Sequence, residues 1–205
     1  MPASLASGMA AGIAAAGRRF GVEIVGGDTA RSDLLVIDVS LLGFVEKPRL
    51  VLRSGAKEGD VILVTGALGG ASRGKHLDFI PRVDEARMMV RNYKVNSMID
   101  ISDGLVLDLW RVLEASRAGA RIYKNAVPVA KEARSFDNAL YGGEDFELLF
   151  TMSVREARRF FKAGMAKMKT PVTMIGEVTA RSGGLILVDE EGRESGLRPK
   201  GYLHF

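Results

Sequence analysis

Apolar positions along this chain recur with two periods, and the two alternate. Leu5 to Arg19 has the alanine-rich composition of a helix, and Gly21 ends it. A short strand is expected at Glu23 to Val25, running into Gly26-Gly27-Asp28-Thr29. From Leu34 to Val45 a longer one follows, where Val36, Asp38 and Ser40 alternate with Ile37, Val39 and Leu41. Period two is the signature of sheet, so the pair reads as two strands joined by a glycine-bearing loop. Arg49 to Asp60 turns polar, with Pro48, Gly55 and Gly59 as breakers, which places a boundary near Ser54. Two parts result, residues 1–54 and 55–205.

Beyond that boundary a buried strand is expected at Val61 to Thr65, entering the loop Gly66-Ala67-Leu68-Gly69-Gly70. Pro81 blocks one helix and Asp84 to Tyr93 can form the next. Met98 to Ile101 is a short apolar stretch. A helix then runs to about Ser116, capped by Ser102 or Asp103, with Leu105, Leu109 and Val112 on one face. Further strands are expected at Gly119 to Lys124, Phe146 to Met152, Val172 to Val178 and Leu185 to Val188, with a turn around Gly192. Pro128 opens a short helix, and Val154 to Met168 forms a basic amphipathic one. This mixture defines a two-layer α/β (α+β) fold.

Composition narrows the function. Hydrophobic residues at 47% and charged residues at 26% exclude intrinsic disorder for most of the 205 residues. The absence of cysteine excludes disulfides, thiolate zinc sites and cysteine nucleophiles. Two histidines, His76 and His204, argue against histidine-based hydrolysis or a multi-histidine metal centre. No apolar run is long enough for a membrane span, and Arg18 and Arg19 follow the N-terminal apolar stretch rather than precede it, unlike a signal peptide. A cytoplasmic location is expected. The net charge of +4 suits a phosphate-bearing partner. Nucleic acid is not expected: the cations are scattered, few aromatics lie among them, and the densest groups, Arg155 to Lys162 and Lys167 with Lys169, read as a solvated helix face.

Glycine is in excess, 24 residues or about 12% against a usual 7%. Three acidic clusters lie beside glycines at strand ends: Gly26-Gly27-Asp28, Asp100-Ile101-Ser102-Asp103-Gly104 and Gly142-Gly143-Glu144-Asp145. Such carboxylates are the parts of a Mg²⁺ site, since Mg²⁺ takes one or two of them and leaves the rest of its shell to water and phosphate oxygens. Each also has a plainer reading. Asp28 suits an Asx turn, Ser102 and Asp103 suit a helix cap, and Glu144 suits a solvated strand start. Asp100, between Ile99 and Ile101, is expected in a buried strand, where an unpaired carboxylate is costly. Gly69 to Lys75 has the G-x-x-x-x-G-K spacing of a P-loop, but His76 stands where a Mg²⁺-binding hydroxyl belongs, so it reads as a glycine turn.

Taken in order, Val25-Gly26-Gly27-Asp28-Thr29, Arg53-Ser54-Gly55-Ala56 with Gly59-Asp60, Met98 to Leu105, Gly142 to Thr151 and the terminal Gly201-Tyr202-Leu203-His204-Phe205 resemble the thiamine-monophosphate kinase family. The resemblance implies the aminoimidazole-ribonucleotide-synthetase-like fold, with a complete C-terminal domain after the last part of an N-terminal ATP-binding domain. Carried over residue by residue, it makes Asp28, Asp100 and Asp103 Mg²⁺ ligands. It assigns Gly27, Asp28, Arg53 and Ser102 to ATP, and Glu144 and Tyr202 to thiamine monophosphate.

The implied reaction moves the γ-phosphoryl of ATP onto the phosphate of thiamine monophosphate. That acceptor is already ionised at neutral pH, so no general base is required. The obstacle is repulsion between anions, about 4 kcal/mol per pair of unit charges at about 4 Å and an effective dielectric near 20. Mg²⁺ and alignment would overcome it. The family also implies a homodimer. Its pattern has a paired-aspartate segment and a second acidic motif ahead of the first motif matched here, and this chain begins after them. Two other readings therefore stay open: a non-catalytic remnant with part of the cleft, and another ATP-dependent member of the superfamily such as selenophosphate synthetase, which lacks support here for want of its Cys or selenocysteine.

Overall fold

The computed structural model describes residues 2–71 and 74–201. The chain divides into compact units at residues 1–44 and 45–205, ahead of the Ser54 boundary read from composition.

The first unit contains helix α1 (Ala3–Phe20), which ends where expected: Gly21 takes the left-handed conformation at φ 67° and returns its N–H to the Gly17 carbonyl. The strands expected at Glu23 to Val25 and Leu34 to Val45 do not form. Alternation of side chains is only half of what a strand needs. The other half is a neighbour to take up its N–H and C=O groups, and among the described residues no ladder partner pairs with this segment. Val25, Leu42 and Phe44 lie almost fully exposed as a result.

The second unit is built on a seven-stranded sheet. In chain order its elements are β1 (Asp60–Thr65), α2 (Val83–Asn92), β2 (Ser97–Ile101), α3 (Leu105–Ser116), β3 (Ala118–Tyr123), α4 (Phe136–Tyr141), β4 (Glu147–Ser153), α5 (Val154–Ala163), β5 (Val172–Ala180), β6 (Leu185–Val188) and β7 (Glu194–Gly196). The spatial order is β2-β4-β1-β5-β3-β6-β7, antiparallel throughout except for the parallel pair β3 and β6. β1 lies between β4 and β5, and all six of its residues are buried.

The mixed α/β class is the expected one, but both sheet faces carry helices. Ile62 and Val64 of β1 point to a core shared with Leu105, Leu109 and Val112 of α3 and with α4. Val61 and Leu63 point the other way, into a core with Met89 of α2 and Phe160 of α5. The sheet is thus the middle of three layers rather than one of two.

Local departures from expectation have local causes. No helix follows Pro128: Val129 forms a parallel bridge with Leu68, and the Leu68 N–H donates to the Pro128 carbonyl at 2.8 Å. The helix forms later, as α4, where Ser135 and Asn138 make a reciprocal capping box. The basic helix expected to reach Met168 stops at Ala163, because Gly164, packed against Tyr93 and Phe160, breaks it into a 3₁₀ turn. β2 is the outermost strand, so Asp100 lies exposed on it rather than buried as expected, and no desolvation cost arises there.

Candidate functional site

Two loops meet at the end of the sheet where β2 finishes and β4 begins. The first runs from Ile101 to Gly104 into α3. Gly104 is the residue before the helix, at φ 115°, and a β-carbon there would come within 3.0 Å of the Tyr141 backbone. Neither Ser102 nor Asp103 caps α3 with its side chain, contrary to the capping reading. The loop is instead tied down from inside the helix. Asp108, buried in the first turn, reaches back and accepts the N–H groups of Ser102 at 3.0 Å and Asp103 at 2.9 Å. Arg111 joins the same corner, with Nη1 2.6 Å from Asp108 Oδ1 and Nη2 2.5 Å from Asp103 Oδ2. Burial pushes the Asp108 carboxyl above the usual range, and the bonds from the Asp103 N–H and Arg111 only partly offset this.

The second loop, residues 142–147, is threaded onto the first. The Glu144 N–H donates to the Ser102 carbonyl at 2.7 Å, and the Phe146 N–H to the Ile101 carbonyl at 2.8 Å. Glu144 and Phe146 both hold positive φ, 64° and 51°, a region that side-chain-bearing residues rarely occupy. Between them Asp145 is 1% exposed. Its carboxylate accepts the N–H of Gly69 at 2.7 Å and of Gly70 at 3.2 Å, with Lys75 Nζ 3.8 Å away. The glycine loop with P-loop spacing therefore closes around a carboxylate of its own chain. His76 turns aside, its Nδ1 2.8 Å from the Ala71 carbonyl oxygen. Phe146 stacks on Phe79 with ring centroids 4.3 Å apart.

Glu147, the first residue of β4, is equally buried and better served. Thr65 Oγ1 donates to it at 2.7 Å, Arg82 grips both oxygens, and Lys75 Nζ lies 3.1 Å away. Burial alone would raise this carboxyl, but Arg82, Thr65 and Lys75 together hold it below the ordinary glutamate range. Asp145 goes the other way: burial raises it more than the Gly69 N–H, Lys75 and the Gly70 N–H lower it. Lys75, Arg82 and Glu147 line an open pocket of about 540 Å³ together with Lys131, Lys169 and Thr170. Among the described residues no buried side-chain nitrogen or oxygen lacks a hydrogen-bond partner.

The structure thus brings Ser102, Asp103 and Glu144 together, with Asp100 two residues before Ser102 on β2. Gly201 joins them, packed so closely on the Asp103 carbonyl and Leu107 that a β-carbon has no room. Tyr202, the next residue, lies outside the described residues. Arg53 is elsewhere: its carbonyl accepts from Ser116 Oγ at 3.4 Å, at the C-terminal end of α3, roughly 18 Å of helix rise from Ser102. Gly27 and Asp28 belong to the first unit, where both are exposed and Asp28 Oδ1 accepts the N–H of Thr29 at 2.7 Å.

Among the described residues no three carboxylate or histidine groups converge into a metal cage. In the second unit Asp100 and Asp103 offer oxygen donors alone. That set fits Mg²⁺, which keeps most of its shell for water and phosphate, and does not fit zinc. Asp108, Arg111, Glu147 and Arg82 are not marked as site residues by the sequence, while Asp145, expected in an acidic cluster, and Lys75, expected in a glycine turn, serve each other and the Gly69 turn instead. The three-residue spacing of Asp108 and Arg111 was the one visible signal, since it puts a carboxylate and a guanidinium side by side on a helix.

A helical layer on each face of a largely antiparallel sheet, with carboxylates and glycines gathered at one end, defines a three-layer α/β protein, and comparison specifies which. Residues 73–189 match the AIR synthase related protein, C-terminal domain, and residues 1–45 match the N-terminal domain of the same family. The chain belongs to the AIR synthase related protein family. It is 38% identical to the thiamine-monophosphate kinase of Rhodopirellula baltica over 203 residues, covering 94% of this chain and 62% of that protein. The structure of AaThiL complexed with AMPPCP and TMP superposes with a TM-score of 0.58 at 28% identity, over 76% of this chain and 54% of that one. Thiamine-monophosphate kinase from Stenotrophomonas maltophilia has the same fold, at a TM-score of 0.62 and 24% identity, over 74% and 56%. The chain therefore spans under two thirds of the length of these relatives. No helix among the described residues is long and apolar enough to cross a membrane.

Proposed function

We propose that this chain carries the thiamine-monophosphate kinase activity of its relatives: Mg²⁺-dependent transfer of the γ-phosphoryl of ATP to the phosphate of thiamine monophosphate. The observation that carries the reading is the junction of the two loops. The backbone bond from Glu144 to Ser102 sets a residue assigned to thiamine monophosphate beside one assigned to ATP, with Asp103 next to it. Donor and acceptor must meet in line, and one hydrogen bond fixes the spacing of the groups that would hold them. Asp100 and Asp103 would hold Mg²⁺, which when bound would neutralise phosphate charge. Asp28 is a further ligand in this reading, with Gly27 and Arg53 toward ATP and Tyr202 toward the thiazolium. A carboxylate and an aromatic face suit that cationic ring. A homodimer and a cytoplasmic location accompany the proposal.

The test is conversion of thiamine monophosphate to thiamine diphosphate by the purified chain with ATP, with and without Mg²⁺, followed by chromatography. Mg²⁺-dependent product supports the reading. Mg²⁺-dependent ATP binding without product would instead favour a binding module that retains part of the cleft, and neither product nor binding would overturn both.

A further inference from the structure

We infer that Asp145 is a positioning residue that sets the direction of Glu144, an inference that rests on the kinase reading for what Glu144 contacts but not for how it is held. The chain from Glu144 to Phe146 adopts a backbone that neither residue prefers. Positive φ at two side-chain-bearing residues flanking a single position is strained, so surrounding contacts must impose it.

Four contacts do so. Two are the backbone bonds to Ser102 and Ile101, and one is the Phe146 ring on Phe79. The fourth is the Asp145 carboxylate, anchored in the Gly69 and Gly70 N–H groups. Only this last contact is made by a fully buried side chain, and its neighbour Glu144 is exposed. With the Asp145 carboxylate anchored inward and the Glu144 N–H bonded to the Ser102 carbonyl, the turn between them leaves Glu144 facing solvent. Substituting glycines could satisfy the same φ values, but glycine would leave the direction of residue 144 unspecified.

The anchor is also specific to a carboxylate. Gly69 has φ 84°, and a β-carbon there would press on the Asn138 and Ala139 backbone, so its N–H is presented by a turn that α4 holds in place. Both N–H groups need an acceptor, and a carboxylate supplies two oxygens to two donors. An amide supplies one and places an N–H₂ against the other donor.

The test uses the full chain with Asp145→Asn, Asp145→Ser as a milder second variant, and Phe160→Leu as a control destabilised in the core on the other sheet face. Two measurements are made: hydrogen exchange at the Glu144, Phe146, Gly69 and Gly70 amides, and calorimetric binding of thiamine monophosphate. The expected result is faster exchange at all four amides in both Asp145 variants and affinity weakened on the order of tenfold or more, with neither change in Phe160→Leu. Unchanged exchange at Glu144 and Phe146 in the Asp145 variants would overturn the inference, and so would wild-type affinity in a variant whose exchange had risen. If the wild-type chain does not bind thiamine monophosphate, the kinase reading fails. The exchange measurements then still decide whether Asp145 holds the loop.

Discussion

Arg82 meets Glu147 with both arms of its guanidinium, Nε to Oε2 at 2.7 Å and Nη2 to Oε1 at 2.8 Å, and Glu147 is 1% exposed. A buried carboxylate held this way is worth less as a net attraction than it costs when its partner is removed. Arg82→Met is expected to destabilise the chain by about 3 kcal/mol, the lower end of the range for an orphaned buried charge, because Lys75 and Thr65 continue to serve Glu147. Urea unfolding checks this. The double variant Arg82→Met with Glu147→Met should recover most of the loss, and a sum of two independent losses would contradict the pairing.

The same carboxylate predicts a pH dependence. The folded pKa of Glu147 lies below its ordinary value of about 4.5, so its contribution to stability is present above that pH and is lost as pH falls through the folded value. The stability gap between wild type and Glu147→Gln should be wide at about pH 7 and close progressively below about pH 4.5. Asp108 and Asp145, whose pKa values are raised, contribute in the opposite sense: their share is present at low pH and is lost as pH rises through the folded values. Glu147→Gln should therefore lose less stability on acidification than wild type. Unfolding midpoints across the acid range decide it.

Asp108→Ala removes the acceptor for two backbone N–H groups and frees Arg111 to sit on Asp103 alone. A loss of about 1–3 kcal/mol is expected for the unsatisfied donors. Exchange at the Ser102 and Asp103 amides should rise before global unfolding. Protection equal to wild type at both amides would show that the helix end holds the loop without this side chain.

Gly104→Ala places a methyl group against the Tyr141 backbone at a φ that alanine avoids. A destabilisation of about 1–3 kcal/mol follows from the conformation alone. Gly201→Ala tests the neighbouring contact: the Asp103 carbonyl leaves no room for a β-carbon, so the variant should part residue 201 from Asp103 without unfolding the sheet. Calorimetric melting of both variants separates a local from a global effect.

Phe160 is fully buried and meets Tyr93 edge-on at 5.4 Å, in the core opposite α3. Phe160→Ala should cost about 3–5 kcal/mol, while leaving exchange in residues 101–104 close to wild type. A matching loss of protection there would mean that the two cores do not act independently.

How much was legible in the sequence depended on whether a feature is local. α1, α3, β1, β4 and β6 were readable because periodicity and glycine punctuation lie within the segment itself, as at Gly21 and at Leu105, Leu109 and Val112. The strand of Leu34 to Val45 was not, because a strand is completed by a neighbour that its own residues do not specify. Asp100 was misjudged as buried for a related reason: flanking isoleucines report the strand, but only the strand order shows that β2 is outermost. At the site, Ser102, Asp103 and Glu144 were marked by glycines and acidic clustering. Asp108 reads as an ordinary helix residue and Asp145 as a member of an acidic cluster, since the partners that give them meaning are backbone N–H groups, which have no letter in the sequence.

From Glu144 to Glu147 four consecutive side chains go to four destinations: solvent beside Ser102, the Gly69 turn, the Phe79 ring and the Arg82 guanidinium. Such a segment is indexed like a key. Deleting one residue ahead of Phe146 would send the later side chains to the wrong lock, bringing Phe146 to two glycine amides that need an acceptor at one fixed position. Length variation should therefore be tolerated in the unpaired stretch after Gly27 and refused here, where the chain has no slack to absorb it.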